Sequence, residues 1–317
     1  MPSPDFINPL SNPIFLPFIE RTAFLFVIGF LLILISNRLE FKGLFKTNLG
    51  ERYFGWLILT PIYLAGIFAG RIPGLLVLLI FVYLAIREIS VVAKLPSAYK
   101  FTLIALAVWS LFLTSYYTQY FYSLPLFYFV VLTLVAIRMN DGERGFYHVA
   151  ISLFASIWII FGISHFVLLG HLNNTIDNTR SLLLLIILAV SLSDIGAYVF
   201  GRLFHKLNFL DAYRIAPNIS PNKTYVGILG HIIGAGIGIY VMYFALGKYL
   251  PLYQWLIVTV LIGVFSMVGG MTNSLFKRYY QIKDSSQLIP GHGGVLDRID
   301  STVRVVVVLY YYFLFIF

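Results

Sequence analysis

Long apolar runs, broken by short polar stretches, follow one another from one end of the chain to the other. Runs poor in charge lie at 17–36, 53–70, 72–87, 101–117, 121–137, 147–170, 181–201, 225–246, 252–271 and 301–317. A hydrocarbon core about 30 Å thick is crossed by roughly 20 helical residues, so these runs predict about ten transmembrane helices. The piece at 72–87 is short enough to be a half-span. Pro73, Pro125 and Pro251 fall near the starts of their runs, where a missing N–H costs a helix least. The predicted fold class is all-α, a polytopic integral membrane protein.

Composition supports that pattern. The chain has 317 residues, 60% of them hydrophobic and 17% aromatic, and its mean hydropathy is +0.88. A soluble domain has too little interior to hide so much apolar surface, so a lipid bilayer is the natural solvent. Cysteine is absent, which excludes disulfides and thiolate metal sites. The formal charge of +9 does not point to nucleic acid, because no basic patch with interleaved aromatics lies outside the apolar runs. It fits the collection of Lys and Arg in cytoplasmic loops instead. Residues 1–20 carry no Lys or Arg ahead of an apolar core, so the first span is expected to stay in the mature protein.

Of the 22 Lys and Arg, 17 fall in loops after odd-numbered spans, counting Arg87 at the edge of its run, and 3 in loops after even-numbered ones. That alternation predicts both termini outside the cytoplasm and puts the long polar loops 202–224 and 272–300 on the cytoplasmic side. An error of one span in the N-terminal half would invert the orientation but leave the two loops together. No internal repeat or separable soluble domain is visible. Residues 1–180 read as an N-terminal transmembrane scaffold. Residues 181–317 read as a C-terminal transmembrane catalytic region with cytoplasmic motif loops, since nearly all unusual polar groups lie there.

Three stretches carry that chemistry. In SLSDIGAYVFGRLF, 191–204, Asp194 interrupts an apolar run. A carboxylate there costs a few kcal/mol unless it is paired or faces a polar cavity. A salt bridge to Arg202 or Lys206 is one explanation and a functional carboxylate the other, while Gly196 and Gly201 suit close helix contact. In NISPNKTYVGILGHIIGAGIG, 218–238, Ser220, Lys223 and Thr224 surround a turn expected at Pro221 and Asn222, just before a span. Hydroxyls, an ammonium and helix-start N–H groups suit a phosphate, although Lys223 could equally anchor the span. No Walker-type G-x-x-x-x-G-K-[ST] loop occurs.

The third stretch, SLFKRYYQIKDSSQLIPGHGGVLDRIDS at 274–301, holds the cations Lys277, Arg278, Lys283 and Arg298 and the carboxylates Asp284, Asp297 and Asp300. Mutual neutralisation in a surface loop is the plain explanation. Asp297 and Asp300, however, would share one face of a helix, and adjacent like charges call for a cation between them. Mg²⁺, held by one or two carboxylates and by substrate phosphates, would supply it. The small residues of PGHGG let backbone N–H groups approach a ligand. His292 is either a turn histidine bonded to backbone or a catalytic one. Carboxylates for a metal plus several cations describe a site for a polyphosphate.

Ser274 to Asp300, written S-x-F-K-R-x4-K-D-x-S-x2-I-P-x-H-G-G-V-x-D-R-I-D, resembles the signature of the phosphatidate cytidylyltransferases, or CDP-diacylglycerol synthases. SDIGAYVFGRLF and ISPNKTYVG resemble two further blocks of that family in the same order, so the likeness covers 191–301. The N-terminal half matches only as a multi-span scaffold. The resemblance implies transfer of CMP from CTP to phosphatidic acid, giving CDP-diacylglycerol and pyrophosphate for phospholipid biosynthesis, with Mg²⁺ as cofactor. It implies metal ligation by Asp297 and Asp300, with Asp284 and Asp194 as second choices. Lys277, Arg278, Lys283 and Arg298 would neutralise the CTP phosphates or the lipid headgroup. Ser220, Lys223 and Thr224 would complete a phosphate cradle, and Gly293 and Gly294 would admit the nucleotide. Ser274 joins the expected substrate-binding set, and Lys283, Asp284 and His292 join Asp297 and Asp300 in the catalytic one. The implied location is the bacterial cytoplasmic membrane with the motif loops facing the cytoplasm. A homodimer is compatible with this, with no interface identified.

Two departures stand out. Many bacterial members of that family have an acidic residue four positions before the signature serine, where this chain has Gly270. The loop LNFLDAYRIAPN, with Asp211, is longer than the family pattern leads one to expect. Rival readings follow: a CTP-dependent enzyme acting on another lipid phosphate or a polyprenol, a transporter, or an inactive paralogue retained for binding.

Overall fold

The computed structural model describes residues 5–37, 40–41, 44, 47–172, 176–205, 214–246, 250–288 and 293–316. Among them, nine helical segments are long and apolar enough to cross a membrane, and a shorter apolar helix, Tyr53–Phe68, stands beside them. Each of the ten expected runs therefore corresponds to a helix. In chain order they are α1 (Phe15–Ser36), α2 (Asn48–Phe68), α3 (Arg71–Val92), α4 (Ser97–Tyr116), α5 (Leu124–Arg138), α6 (Gly145–Ala155), α7 (Gly162–Leu172), α8 (Ile176–His205), α9 (Tyr225–Leu246), α10 (Leu252–Tyr279) and α11 (Leu296–Ile316). One π-helical turn, Ser156–Phe161, joins α6 and α7 into a single span. The fold is all-α apart from one two-stranded hairpin.

Several helices outrun their apolar runs by taking in charged residues, and three of these bear on the polar residues. The third run stops at 87, but α3 continues to Val92 because Glu88, only 6% exposed, has its carboxylate bonded inside the protein. α10 extends to Tyr279, and its last turn carries Lys277 and Arg278, where cations oppose the negative end of the helix dipole. α11 begins at Leu296, so Asp297 and Asp300 lie in its first turns on one helical face, as their spacing predicts.

Large apolar side chains cover the outer faces. Phe24, Leu32 and Ile35 of α1, Leu76 and Ile80 of α3 and Phe101 of α4 are all exposed. So wide a belt of exposed hydrocarbon is a lipid-facing surface, because every backbone polar group behind it is satisfied within a helix. Inside, Val82, Ile86 and Ile89 of α3 pack with Trp158 and Ile159 of the π turn and with Val305, Val306 and Leu309 of α11. These helices form the centre of the bundle.

Glycines fix the α8–α9 pair. A Cβ on Gly196 would lie 2.3 Å from the Gly230 carbonyl oxygen, and one on Gly234 would lie 2.1 Å from that of Leu192. Neither contact is possible for a larger residue, so the two backbones touch, as small residues allow in membranes where no hydrophobic force drives helices together. Gly196 fulfils the expected packing role. Gly201 does not, for nothing lies within 4 Å of its Cβ position.

The phosphate-cradle segment differs from expectation. Ser220–Thr224 is a strand, β2, paired antiparallel with β1 (Arg214–Ala216), and the chain reverses at 217–219 rather than at Pro221 and Asn222. Pro217 and Asn218 suit the central positions of a turn, and the Ile219 N–H donates to the Ala216 carbonyl at 3.1 Å. Thr224 then caps α9, its Oγ1 accepting from the Gly227 N–H at 3.2 Å.

Candidate active site

A cavity of about 340 Å³ opens where the hairpin meets the bundle. Asp194 of α8 and Asp297, Arg298 and Asp300 of α11 line one part of it, and Ser220, Lys223 and Thr224 of β2 another. Three separated stretches of sequence thus converge on one space.

α8 carries Asp194 into the cavity with its side chain 49% exposed, so this carboxylate avoids the cost of burial by facing the polar space. Of the two expected salt-bridge partners, Arg202 is engaged elsewhere. Arg202 donates to the Tyr198 hydroxyl at 3.2 Å, and Lys206 lies outside the described residues. His231 of α9, 1% exposed, is the group beside it, with Nδ1 3.7 Å from Asp194 Oδ1. Lys223 Nζ lies 3.2 Å from His231 Nε2, and Ser193 Oγ lies 2.9 Å from His231 Nδ1. An ammonium only donates, so Nε2 must accept; the proton then sits on Nδ1 and is donated to Ser193. A neutral imidazole therefore holds the Lys223 ammonium at the cavity wall. Nothing in the pattern of apolar runs marks His231 for this part.

Asp297 and Asp300 share a face but not a role. Asp297 accepts from Lys277 Nζ at 2.7 Å, Asn273 Nδ2 at 2.8 Å, Ser285 Oγ at 2.8 Å, Gly294 N at 3.0 Å and Ser285 N at 3.1 Å. Five donors fill the capacity of one carboxylate. In this structure the Asp297 carboxylate ties the signature loop to α10. The cation required beside the pair is Lys277, and the Asn273 amide bridges it to Asp300 Oδ2 at 3.0 Å. Asp300 accepts only neutral N–H groups, from Asn273 and from the Ser301 backbone, and keeps its place on the cavity wall.

The remaining predicted residues sort by position. Ser274 spends its hydroxyl on the Gly270 carbonyl at 2.8 Å and does not line the cavity. Arg278 is exposed and donates to the Ile219 carbonyl at 3.3 Å, fastening the hairpin to α10. Lys283 and Asp284 are exposed and lie outside the cavity lining. Gly293 has φ +80°, and a Cβ there would come within 2.9 Å of Asp297 Oδ2; one on Gly294 would lie 2.1 Å from Ser285 Oγ. Both glycines therefore let the loop pack closely on its anchors. His292 lies outside the described residues. Gly270 lines the cavity, and a Cβ there would stand 3.8 Å from Lys223 Nζ, so an acidic side chain at this position would meet the ammonium that His231 now holds.

Two residues that sequence reasoning missed are central. Asn273, 1% exposed, bridges the two aspartates, and its Oδ1 is buried without a hydrogen-bond partner. Glu88 of α3 accepts from the Val295 and Leu296 N–H groups at 2.9 and 2.8 Å and from the hydroxyls of Ser285 and Ser286 at 3.0 and 2.6 Å. It thus caps the start of α11, placing an anion at the positive end of the helix.

A metal fits this site only with help from a ligand. No group of three or more His, Asp or Glu among the described residues could hold an ion alone. Asp194 and Asp300 on the cavity wall, with the unpartnered Asn273 Oδ1 nearby, match the habit of Mg²⁺, which takes one or two carboxylates and completes its shell with water and substrate phosphates.

The bundle and its charged cavity define a multi-pass membrane protein with a site suited to an anionic ligand. Residues 50–316 match the cytidylyltransferase family, and the chain belongs to that family. It is 42% identical over 122 residues to a phosphatidate cytidylyltransferase of Staphylococcus haemolyticus, covering 38% of this chain and 45% of that protein. Identity is 33% over 181 residues to one of Staphylococcus epidermidis, covering 57% and 64%. It is 38% over 139 residues to one of Haemophilus influenzae, covering 43% and 46%. The matches thus span about half to two thirds of the length of these relatives.

Proposed function

We propose that the protein transfers CMP from CTP to phosphatidic acid, releasing pyrophosphate and forming CDP-diacylglycerol. The observation that carries this is the convergence of Lys223, Arg298, Asp194 and Asp300 on one cavity at the ends of membrane-spanning helices. A water-soluble triphosphate can reach such a cavity while the acyl chains of a lipid phosphate stay in hydrocarbon. The relatives' names support the same reaction.

The lipid phosphate is already an anion and needs no general base. One of its oxygens forms a bond to the α-phosphorus of CTP as the bond from that phosphorus to the bridging oxygen of the β-phosphate breaks, and pyrophosphate leaves with the electron pair. Catalysis is then positioning and charge neutralisation. Lys223, set by His231, and Arg298, whose Nε is buried without a partner, supply donors for phosphate oxygens. Thr224 and the first turn of α9 add a hydroxyl and helix-start N–H groups. Asp194 and Asp300 would hold Mg²⁺, which supplies further charge on the phosphates. The hairpin and signature loop face the cytoplasm, where CTP is found.

The test is CMP transfer from α-labelled CTP to phosphatidic acid in the presence of Mg²⁺. Labelled CDP-diacylglycerol supports the proposal. Label on another lipid phosphate overturns the substrate, and no labelled lipid from CTP-binding protein makes it an inactive relative.

A further inference from the structure

A second cavity, of about 180 Å³, adjoins the first, and Tyr63, Ile187 and Thr302 belong to the walls of both. Its sides are apolar, formed by Leu75, Leu78 and Phe81 of α3, Ile163 and Val167 of α7 and Val303 of α11. Helix directions set its orientation. Glu88, late in α3, holds the first residues of α11, so Arg71 at the start of α3 lies about 25 Å away along the helix, toward the opposite membrane face. The cavity extends from Ile299 and Thr302, beside the polar site, to Arg71, His171 and Arg180 at that far end. Arg71 is paired with Asp5 and sits 4.4 Å from the centroid of the Tyr116 ring. The far end is thus a built polar stop.

Such a space, sharing a wall with the polar site and lined along its sides by apolar groups, forfeits packing if left unfilled. We propose that it receives one acyl chain of the lipid whose phosphate reacts in the polar cavity, and that its polar end limits the length of chain accepted. The identity of the lipid rests on the cytidylyl-transfer reading; the chamber rests on the shared wall. A chain moving from bilayer into this chamber exchanges one hydrocarbon surrounding for another, so little hydrophobic energy is gained. The chamber therefore acts through fit, as a determinant of specificity, more than through affinity.

The test uses the full chain in a bilayer with a phosphatidic acid carrying a diazirine midway along one acyl chain. Photolysis should yield adducts on Leu75, Leu78, Phe81 or Val303. Adducts confined to Leu76 and Ile80, each 54% exposed on the outer face of the same helix, would overturn the proposal. Turnover gives a second readout. Leu78→Trp should lower kcat/KM for long-chain against short-chain phosphatidic acid by about tenfold or more, and Leu78→Ala should not. An equal loss on both chain lengths would count against the chamber. Adducts inside the cavity without any CDP-lipid product would keep the chamber and sink the transfer reaction, whereas turnover with adducts only on the outer face would do the reverse.

Discussion

Asp297 and Asp300 lie one helical turn apart, yet Asp297 is saturated by five donors while Asp300 meets only neutral N–H groups beside the cavity. Substitution should separate them. Asp297→Asn removes the partner of Lys277, whose side chain is only 18% exposed, and should cost about 2–3 kcal/mol of stability, read as a lower thermal midpoint with activity falling alongside. Asp300→Asn should stay within about 1 kcal/mol of wild type and still lose about a hundredfold or more in turnover. If Asp297→Asn kept wild-type stability and lost only activity, its assignment as an anchor would fail. Lys223 gives a complementary case. With its ammonium presented by His231 at the cavity wall, Lys223→Met should lower kcat/KM for CTP by about a hundredfold, because a charge-assisted contact to phosphate disappears. A loss seen only with the lipid substrate would move Lys223 to the headgroup.

Between elements, two contacts do most to hold the site in shape. Glu88 of α3 accepts two backbone N–H groups at the start of α11 and two serine hydroxyls of the preceding loop. Glu88→Ala strands these donors in a buried place, so a loss of about 2–4 kcal/mol and faster proteolysis of the loop at 283–295 are expected. At the α8–α9 seam, Gly234→Ala forces a Cβ to within 2.1 Å of the Leu192 carbonyl oxygen, and the helices carrying Asp194 and His231 must part. Gly201→Ala on the same helix as Asp194 meets nothing within 4 Å and should leave the fold unchanged. Thermal midpoints of the two variants, compared side by side, check this: equal values would mean that the backbones do not touch at Gly234.

Across the whole molecule, the legible part of the sequence was what depends on local composition. Apolar length alone located all ten helices, because a residue in a span has lipid or packed hydrocarbon around it whatever its partners are. The Asp297–Asp300 face was legible for the same reason, being set by helical periodicity. Glu88 was not, since its meaning depends on loop atoms about two hundred residues away. Asn273 and His231 were hidden likewise: an amide and an imidazole in apolar runs have no pattern until opposing helices supply their partners. Lys277, Gly293 and Gly294 were found, but not the protein groups they face, for a sequence shows charge and smallness without showing what opposes them.

The arrangement of helices also makes a claim about sides. Ser220, Lys223 and Thr224 of the hairpin and Asp297 and Arg298 of the signature stretch line the same cavity, so the two share a face of the membrane, and the proposed use of CTP predicts that this face is cytoplasmic. The chain has no cysteine, which lets single cysteines report without removing native ones. Arg214→Cys and Lys283→Cys, at exposed positions in the hairpin and the signature loop, should react with an impermeant maleimide only in inside-out vesicles. Tyr120→Cys and Tyr253→Cys, 56% and 62% exposed at the opposite helix ends, should react only in intact cells stripped of their wall. The excess of Lys and Arg in the loops on the hairpin side favours this orientation. The reverse labelling would leave the cavity facing away from its nucleotide, and the proposed reaction could not then stand however well the residues fit it.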